Sequence, residues 1–190
     1  MPQSSYESHA GKFIELRSVS SIGVETLQSW SDRLTSPARI LDIGCGSGKP
    51  LGITLAGRGH LLFGIDCSAT LAKLYEQTVP KSRVECANFL KSDCFHLKFD
   101  ATIAIGVIFL LTSEQQQEMI RKIASCLAPK GHVLFTAPTQ VHQWKDVITG
   151  SISTSLGREQ YLKIGIESGL RLVDEYQDEG GNHYYAMLKC

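Results

Sequence analysis

Apolar positions recur along the chain in two rhythms. ARILDIG (38–44), HLLFGID (60–66), FDATIAIGVIF (99–109) and HVLFTAP (132–138) are runs with few polar residues. Such runs read as strands buried on both faces of a sheet. RVECANFL (83–90) adds a short strand and a turn. Between these runs the apolar residues fall at helical spacing in KPLGITLAGRG (49–59), SATLAKLYEQTV (68–79), TSEQQQEMIRKIASCL (112–127) and GREQYLKIGIESGL (157–170). Pro50 sits in a first turn, where proline is tolerated. Ser68 is placed as an N-cap, and Thr112 with Gln115 or Ser113 with Gln116 as a capping box. APKG (128–131) is expected to stop the third of these helices.

The N-terminal stretch predicts two helices, over 6–17, weakened by Gly11, and over 24–34, ended by Pro37. RLVDEYQ (171–177) and HYYAMLK (183–189) alternate like strands around the turn DEGGN. Residues 139–156 have mixed polarity and no period, and read as irregular. Strand and helix alternate, then a strand pair closes the chain. That order implies right-handed crossovers and an α/β, doubly wound, mostly parallel seven-stranded sheet with a C-terminal antiparallel hairpin and helices on both faces.

A chain of 190 residues makes one domain with a sizeable core. Residues 1–36 are expected to form a helical lid, 37–138 the ligand-binding core, and 139–190 an acceptor-side segment with the terminal hairpin. Lysine plus arginine equals aspartate plus glutamate at 19 each, so no basic excess points to nucleic acid. The start MPQSSYESHA lacks the features of a secretory leader, and the longest apolar run, 101–111, is too short for a bilayer. The six cysteines are scattered with no C-x-x-C pair, so reduced thiols, no metal site and a cytoplasmic location are expected.

The candidate chemistry starts at ILDIGCGSGKPLG (40–52), four glycines in thirteen positions. At a strand end, glycines permit a sharp turn and close approach of a ligand. The dinucleotide spacing G-x-G-x-x-G fails, because its third position is Lys49. A phosphate-binding lysine loop fails too, since Lys49 is followed by Pro50. Eighteen residues past Gly48, Asp66 closes the next strand, where a carboxylate accepts the two hydroxyls of a ribose.

In order, ILDIGCGSGKP, FGIDCS, VECANFL, FDATIAIGVIFLL and LAPKGHVLFTAP resemble the successive motifs of class I S-adenosylmethionine-dependent methyltransferases over residues 38–138. The resemblance implies a Rossmann-like fold, S-adenosylmethionine as cofactor, and methyl transfer by in-line displacement. Gly44, Cys45 and Gly46 would lie against the methionine part of the cofactor. Asp42 would hold the loop and reach the ammonium through water. Asp66 would take the ribose, with Cys67 beside the adenine. Asn88, followed by Phe89, stands where the family commonly has Asp for the adenine amino group. Ile105 and Gly106 would approach the methionine ammonium, and Arg17 would pair with its carboxylate.

Leu110 stands where small members often carry a histidine, so the fourth strand's end brings no acid–base group. His142 and His183 are then the candidate proton acceptors, and Tyr6, Phe109, Trp144 and Tyr184 the candidate acceptor-binding residues. With neutral net charge and little chain beyond the core, the expected partner is a small-molecule acceptor, with no nucleic acid and no membrane, and the expected state a monomer or weak homo-oligomer. A non-catalytic cofactor-binding scaffold and an NAD(P)-dependent oxidoreductase are the alternatives.

Overall fold

The computed structural model describes residues 3–190, with side chains from Tyr6 onward. Nine strands and seven α-helices follow one another among these residues. They are α1 (Gln3–Ser8), α2 (Ala10–Ser18), α3 (Val24–Ser31), β1 (Arg39–Ile43), α4 (Leu51–Gly57), β2 (Leu61–Asp66), α5 (Ala69–Thr78), β3 (Arg83–Cys86) and β4 (Phe99–Ala104). Then come α6 (Ser113–Cys126), β5 (Leu127–Thr136), β6 (Val141–Lys145), β7 (Ile152–Leu156), α7 (Arg158–Glu167), β8 (Leu170–Gln177) and β9 (His183–Lys189).

Seven strands form one sheet in the order β3-β2-β1-β4-β5-β9-β8. The first five pair in parallel, and β9 lies antiparallel between β5 and β8. An antiparallel strand in the sixth position departs from the all-parallel dinucleotide order and weakens the NAD(P) alternative. Along each strand, residues alternate between two buried layers. Ile40, Leu62, Ile103 and Leu134 pack with Leu27 and Trp30 of α3, Leu55 of α4 and Tyr75 of α5. Leu41, Phe63 and Phe135 pack with Met119, Ile120 and Ile123 of α6 and Tyr161 of α7. Each such fully buried large side chain contributes about 1.5–3 kcal/mol relative to exposure. The doubly covered sheet and terminal strand pair agree with the sequence pattern. No described helix is long and apolar enough to cross a membrane.

Both cap expectations hold in detail. Ser68 accepts the Leu71 N–H, and Thr112 with Gln115 closes a reciprocal capping box. Four local expectations are corrected. The helix over 6–17 is two helices broken at His9, not one weakened at Gly11. The apolar run 99–109 pairs only to Ala104, because Gly106 turns at φ +74° and Ile108–Leu110 coil into a 3₁₀ turn. Residues 128–131 do not end α6 as a loop, since β5 already begins at Leu127 and pairs with Phe99 across a register shift.

The fourth correction concerns residues 139–156, which contain the antiparallel hairpin β6–β7. Its pattern is inverted. Ser153 and Ser155 are fully buried, while Val141 and Ile152 are 77% and 56% exposed. A hairpin whose inward positions are serines carries no hydrophobic alternation to read.

Candidate active site

The carboxyl edge of the sheet gathers one cavity of about 290 Å³. Its floor is the turn after β1. The Gly44 and Cys45 N–H groups donate to the Ile65 carbonyl at 2.8 and 3.2 Å, which ties the turn to β2. Gly44 and Gly46 have φ of +66° and +56°. A Cβ at Gly44 would lie 2.8 Å from Val107, and one at Gly46 2.8 Å from the Phe13 ring. Both positions therefore need glycine for conformation and for space.

Two carboxylates face the cavity from the strand ends. Asp66 accepts the Gly46 N–H at 2.9 Å on one oxygen and the Ser68 N–H at 2.8 Å on the other. A carboxylate has about four acceptor sites, so each Asp66 oxygen keeps capacity for one hydroxyl. Burial raises its pKa. Asp42 is buried and accepts the Tyr75 hydroxyl at 3.0 Å. Burial pushes Asp42 up to about 7, against the lowering effect of Tyr75.

Arg17 of α2 reaches the same cavity half-buried, and among the described residues its guanidinium has no hydrogen bond or ion pair. Burial lowers its pKa, while Tyr184, Asp178 and Asp42 lie near enough to oppose that. A desolvated guanidinium without a partner is matched by an anionic ligand group, which it binds bidentately.

The far wall comes from β3, β4, β5 and the β8–β9 turn. Asn88 caps a 3₁₀ turn by accepting the Leu90 N–H at 2.9 Å, which leaves its amide donors free of that cap. Phe89 is beside it, and Ile105 and Gly106 follow β4. The Gly106 N–H donates to the Thr136 hydroxyl at 2.7 Å, fixing the β4 turn to β5. Tyr184 is buried and donates to Asp178 at 2.8 Å. Asp178 also accepts the backbone N–H groups of Gly180 and Asn182, so it shapes the β8–β9 turn.

The roof is α1, α2 and the β6–β7 turn. Glu7 of α1 accepts from the Ser68 hydroxyl and from the Thr70 hydroxyl, the latter at 2.6 Å. These bonds, Ser68 first, hold the Glu7 carboxyl below its usual value. Lys12 donates to the Val147 carbonyl at 2.8 Å. Asp146 accepts from Ile148, Thr149 and the Thr149 hydroxyl, and it lies beside Tyr6, whose pKa burial and Asp146 raise. The Tyr6 and Phe13 rings meet edge to face 6.2 Å apart. Burial lifts the Cys67 thiol to about 11, and it also raises Cys45, so neither wall thiol is ionised near neutral pH.

All eleven residues anticipated for the cofactor line this one cavity, together with Tyr6, Phe109 and Tyr184. His142, His183 and Trp144 do not. His142 is exposed and stacks on Trp144 at 4.7 Å, and Trp144 meets the outer side of Phe109 at 5.2 Å. His183 hydrogen-bonds Glu175 at 2.9 Å, a carboxylate also held by Arg158. Sequence reading missed Phe13, Thr136, Asp146 and Asp178 on the wall. Asp178 stood in the recognised turn DEGGN, and that turn's position beside the glycine loop was the missing signal.

Residues 40–131 match a family model described as a methyltransferase domain. Among solved structures, 1,6-didemethyltoxoflavin-N1-methyltransferase from Burkholderia thailandensis, with 1,6-didemethyltoxoflavin and S-adenosylhomocysteine bound, aligns at TM-score 0.79 and 14% identity over 98% of this chain and 86% of that one. A TehB-like SAM-dependent methyltransferase from Corynebacterium glutamicum aligns at 0.72 and 18% over 96% and 98%. Magnesium protoporphyrin IX methyltransferase from Synechocystis, with bound SAM, aligns at 0.70 and 18% over 88% and 78%. No curated protein sequence matches the chain. Residues 40–131 thus resemble a methyltransferase domain, and the chain shares the fold of these S-adenosylmethionine-dependent methyltransferases.

Proposed function

We propose that the chain binds S-adenosylmethionine in this cavity and transfers its methyl group to a small-molecule acceptor. The observation that carries the reading is the pairing of unmet needs across one hollow. Arg17 is a desolvated cation without a partner, and Asp66 is a carboxylate with one acceptor site left on each oxygen. A ligand with a carboxylate at one end and a ribose in the middle meets both.

In this reading Asp66 takes the ribose hydroxyls. Asn88 and Phe89 hold the adenine, with Cys67 beside it as a neutral thiol. The Gly44, Cys45 and Gly46 backbone, Asp42, Ile105 and Gly106 surround the methionine part, and Arg17 holds its carboxylate. The bound cofactor supplies a methyl group already activated by a sulfonium. The chain's own work is then alignment and exclusion of water. Phe109, Tyr6 and Tyr184 border the space left for the acceptor.

No imidazole faces the cavity among the described residues. The reading therefore assigns proton removal to no histidine; an acceptor that needs deprotonation would rely on a cavity carboxylate such as Asp42 or Asp146, and a neutral amine or an ionised thiol would need none. His142 and His183 have no role in it.

Calorimetric titration tests the cofactor step. S-adenosylhomocysteine is expected to bind and NAD not to; the reverse result removes the reading. Incubation with methyl-labelled cofactor and pooled small amines, thiols and phenols tests transfer. Binding with no label transferred to any acceptor would leave a cofactor-binding scaffold as the better description.

A further inference from the structure

Cys94 and Cys126 lie outside the cavity and have no part in the proposed reaction. Both are buried, at 3% and 6% exposure, and their Sγ atoms share a hydrogen bond at 2.9 Å. They are 32 residues apart in sequence, one in the turn before β4 and one ending α6. Closing to the length of a disulfide needs a movement of about 0.9 Å.

The turn carrying Cys94 is unusual. Cys94, Phe95 and His96 have φ of +48°, +56° and +55°, three successive left-handed residues, none of them glycine. L-residues rarely adopt this singly and almost never in series. Such strain persists only where surrounding contacts over-determine it. The Ser92 hydroxyl accepts the Cys94 N–H at 2.9 Å and donates to Glu85 at 2.7 Å. Arg83 lies over the Phe95 ring at 5.4 Å. Lys122 of α6 donates to the Ser92 and Leu90 carbonyls at 2.6 and 3.0 Å and sits 5.4 Å over the Phe89 ring. The strain is spent on presenting one sulfur to the other.

We propose that Cys94 and Cys126 are a redox site, forming a reversible disulfide that fastens the segment carrying Asn88 and Phe89 to α6. Hydrogen peroxide is the oxidant class that suits a buried pair. It is small, and the turn's flanks are open, with the Asp93 and His96 side chains 79% and 84% exposed. Cys126 is the attacking sulfur. The bond from Cys94 and the nearby Lys122 and Lys98 ammonium groups favour its thiolate, and the same pairing keeps the proton on Cys94. The thiolate attacks one peroxide oxygen, the O–O bond breaks, and the leaving hydroxide takes up a proton to become water. Cys126 is then a sulfenic acid. The Cys94 sulfur attacks it, the S–O bond breaks, and the hydroxide leaves with the Cys94 proton as a second water. Two thiols and one peroxide give one disulfide and two waters.

The test uses the full chain, reduced, then exposed to graded hydrogen peroxide, alkylated and digested without reductant. The expected result is a linked Cys94–Cys126 peptide, two hydrogens lighter than its parts and undone by dithiothreitol. The oxidised protein is also expected to melt several degrees above the reduced one, because closing this loop restricts the unfolded chain. Cys94→Ser should melt at the same temperature with and without peroxide. The proposal is overturned if the exposed Cys86 and Cys190 oxidise while Cys94 and Cys126 remain alkylatable after unfolding. It is equally overturned if the bridge forms and the melting temperature falls.

Discussion

The floor of the cavity and its roof contrast in how they are held. The floor is backbone at the ends of β1 and β4, where glycines with positive φ hydrogen-bond the neighbouring strand and rest on a doubly covered sheet. The roof is side chains from α1, α2 and the β6–β7 turn, attached by Glu7, Lys12 and the Phe13 ring. The Glu7 and Lys12 side chains are exposed, so water competes for their bonds and screens their charges. A rigid floor fixes what binds. A weakly tied roof fixes how readily it enters and leaves.

The largest expected effect breaks the floor. Gly44→Val places a branched side chain against Val107 from a left-handed backbone, and S-adenosylhomocysteine binding should fall at least 100-fold by calorimetry with the circular dichroism spectrum retained. Retained affinity would show that the turn is not the floor.

Next is Asp66→Ala, expected to cost ~1–3 kcal/mol of binding, the range for leaving buried hydrogen-bonding groups, here the ribose hydroxyls, without their partner. Arg17→Gln is expected to cost S-adenosylhomocysteine ~1.5–3 kcal/mol and to leave 5′-methylthioadenosine, which lacks the amino-acid carboxylate, unaffected. Equal loss for both ligands would place Arg17 in the roof's structure and not on the carboxylate.

Asp42 gives a pH signature of the floor. The folded protein keeps its proton up to about pH 7, whereas the unfolded chain releases it near 3.8. This contribution to stability is fully present below 3.8 and is lost as pH rises to about 7, by about 1.4 kcal/mol per unit at full difference. Thermal melts of the ligand-free protein between pH 4 and 7 should show the decline, and Asp42→Asn should flatten it. An unchanged slope would locate the titration elsewhere.

The smallest effect belongs to the roof. Lys12→Ala should raise the dissociation rate of S-adenosylhomocysteine a few-fold in stopped flow, with little change in melting temperature. A change in melting temperature with no change in rate would reverse the division of labour drawn above.

The same contrast explains what the sequence disclosed. The floor is local. Strand, glycine turn and the next strand's carboxylate lie within residues 39–66, so Gly44, Gly46 and Asp66 could be read from spacing. The roof depends on contacts between distant segments, such as Lys12 with Val147 and Tyr6 beside Asp146. Its hairpin hides serines where apolar residues were the signal. His142 and His183 looked suitable by residue type, but the partners that hold them outside the lining, Trp144 and Glu175, are contacts that periodicity does not report. The Cys94–Cys126 proximity likewise comes from topology, through the crossover that returns α6 beside the turn before β4.

The edge-to-face pair of Tyr6 and Phe13 over the glycine turn carries a consequence for turnover. On the proposed function, a spent cofactor beneath these rings would depart as α1 and α2 lift, whatever the speed of the chemical step. With a well-matched acceptor, exchange becomes the slow stage. The first turnover should then appear as a burst of methylated product equal to the enzyme present, followed by a steady rate set by how often the rings part.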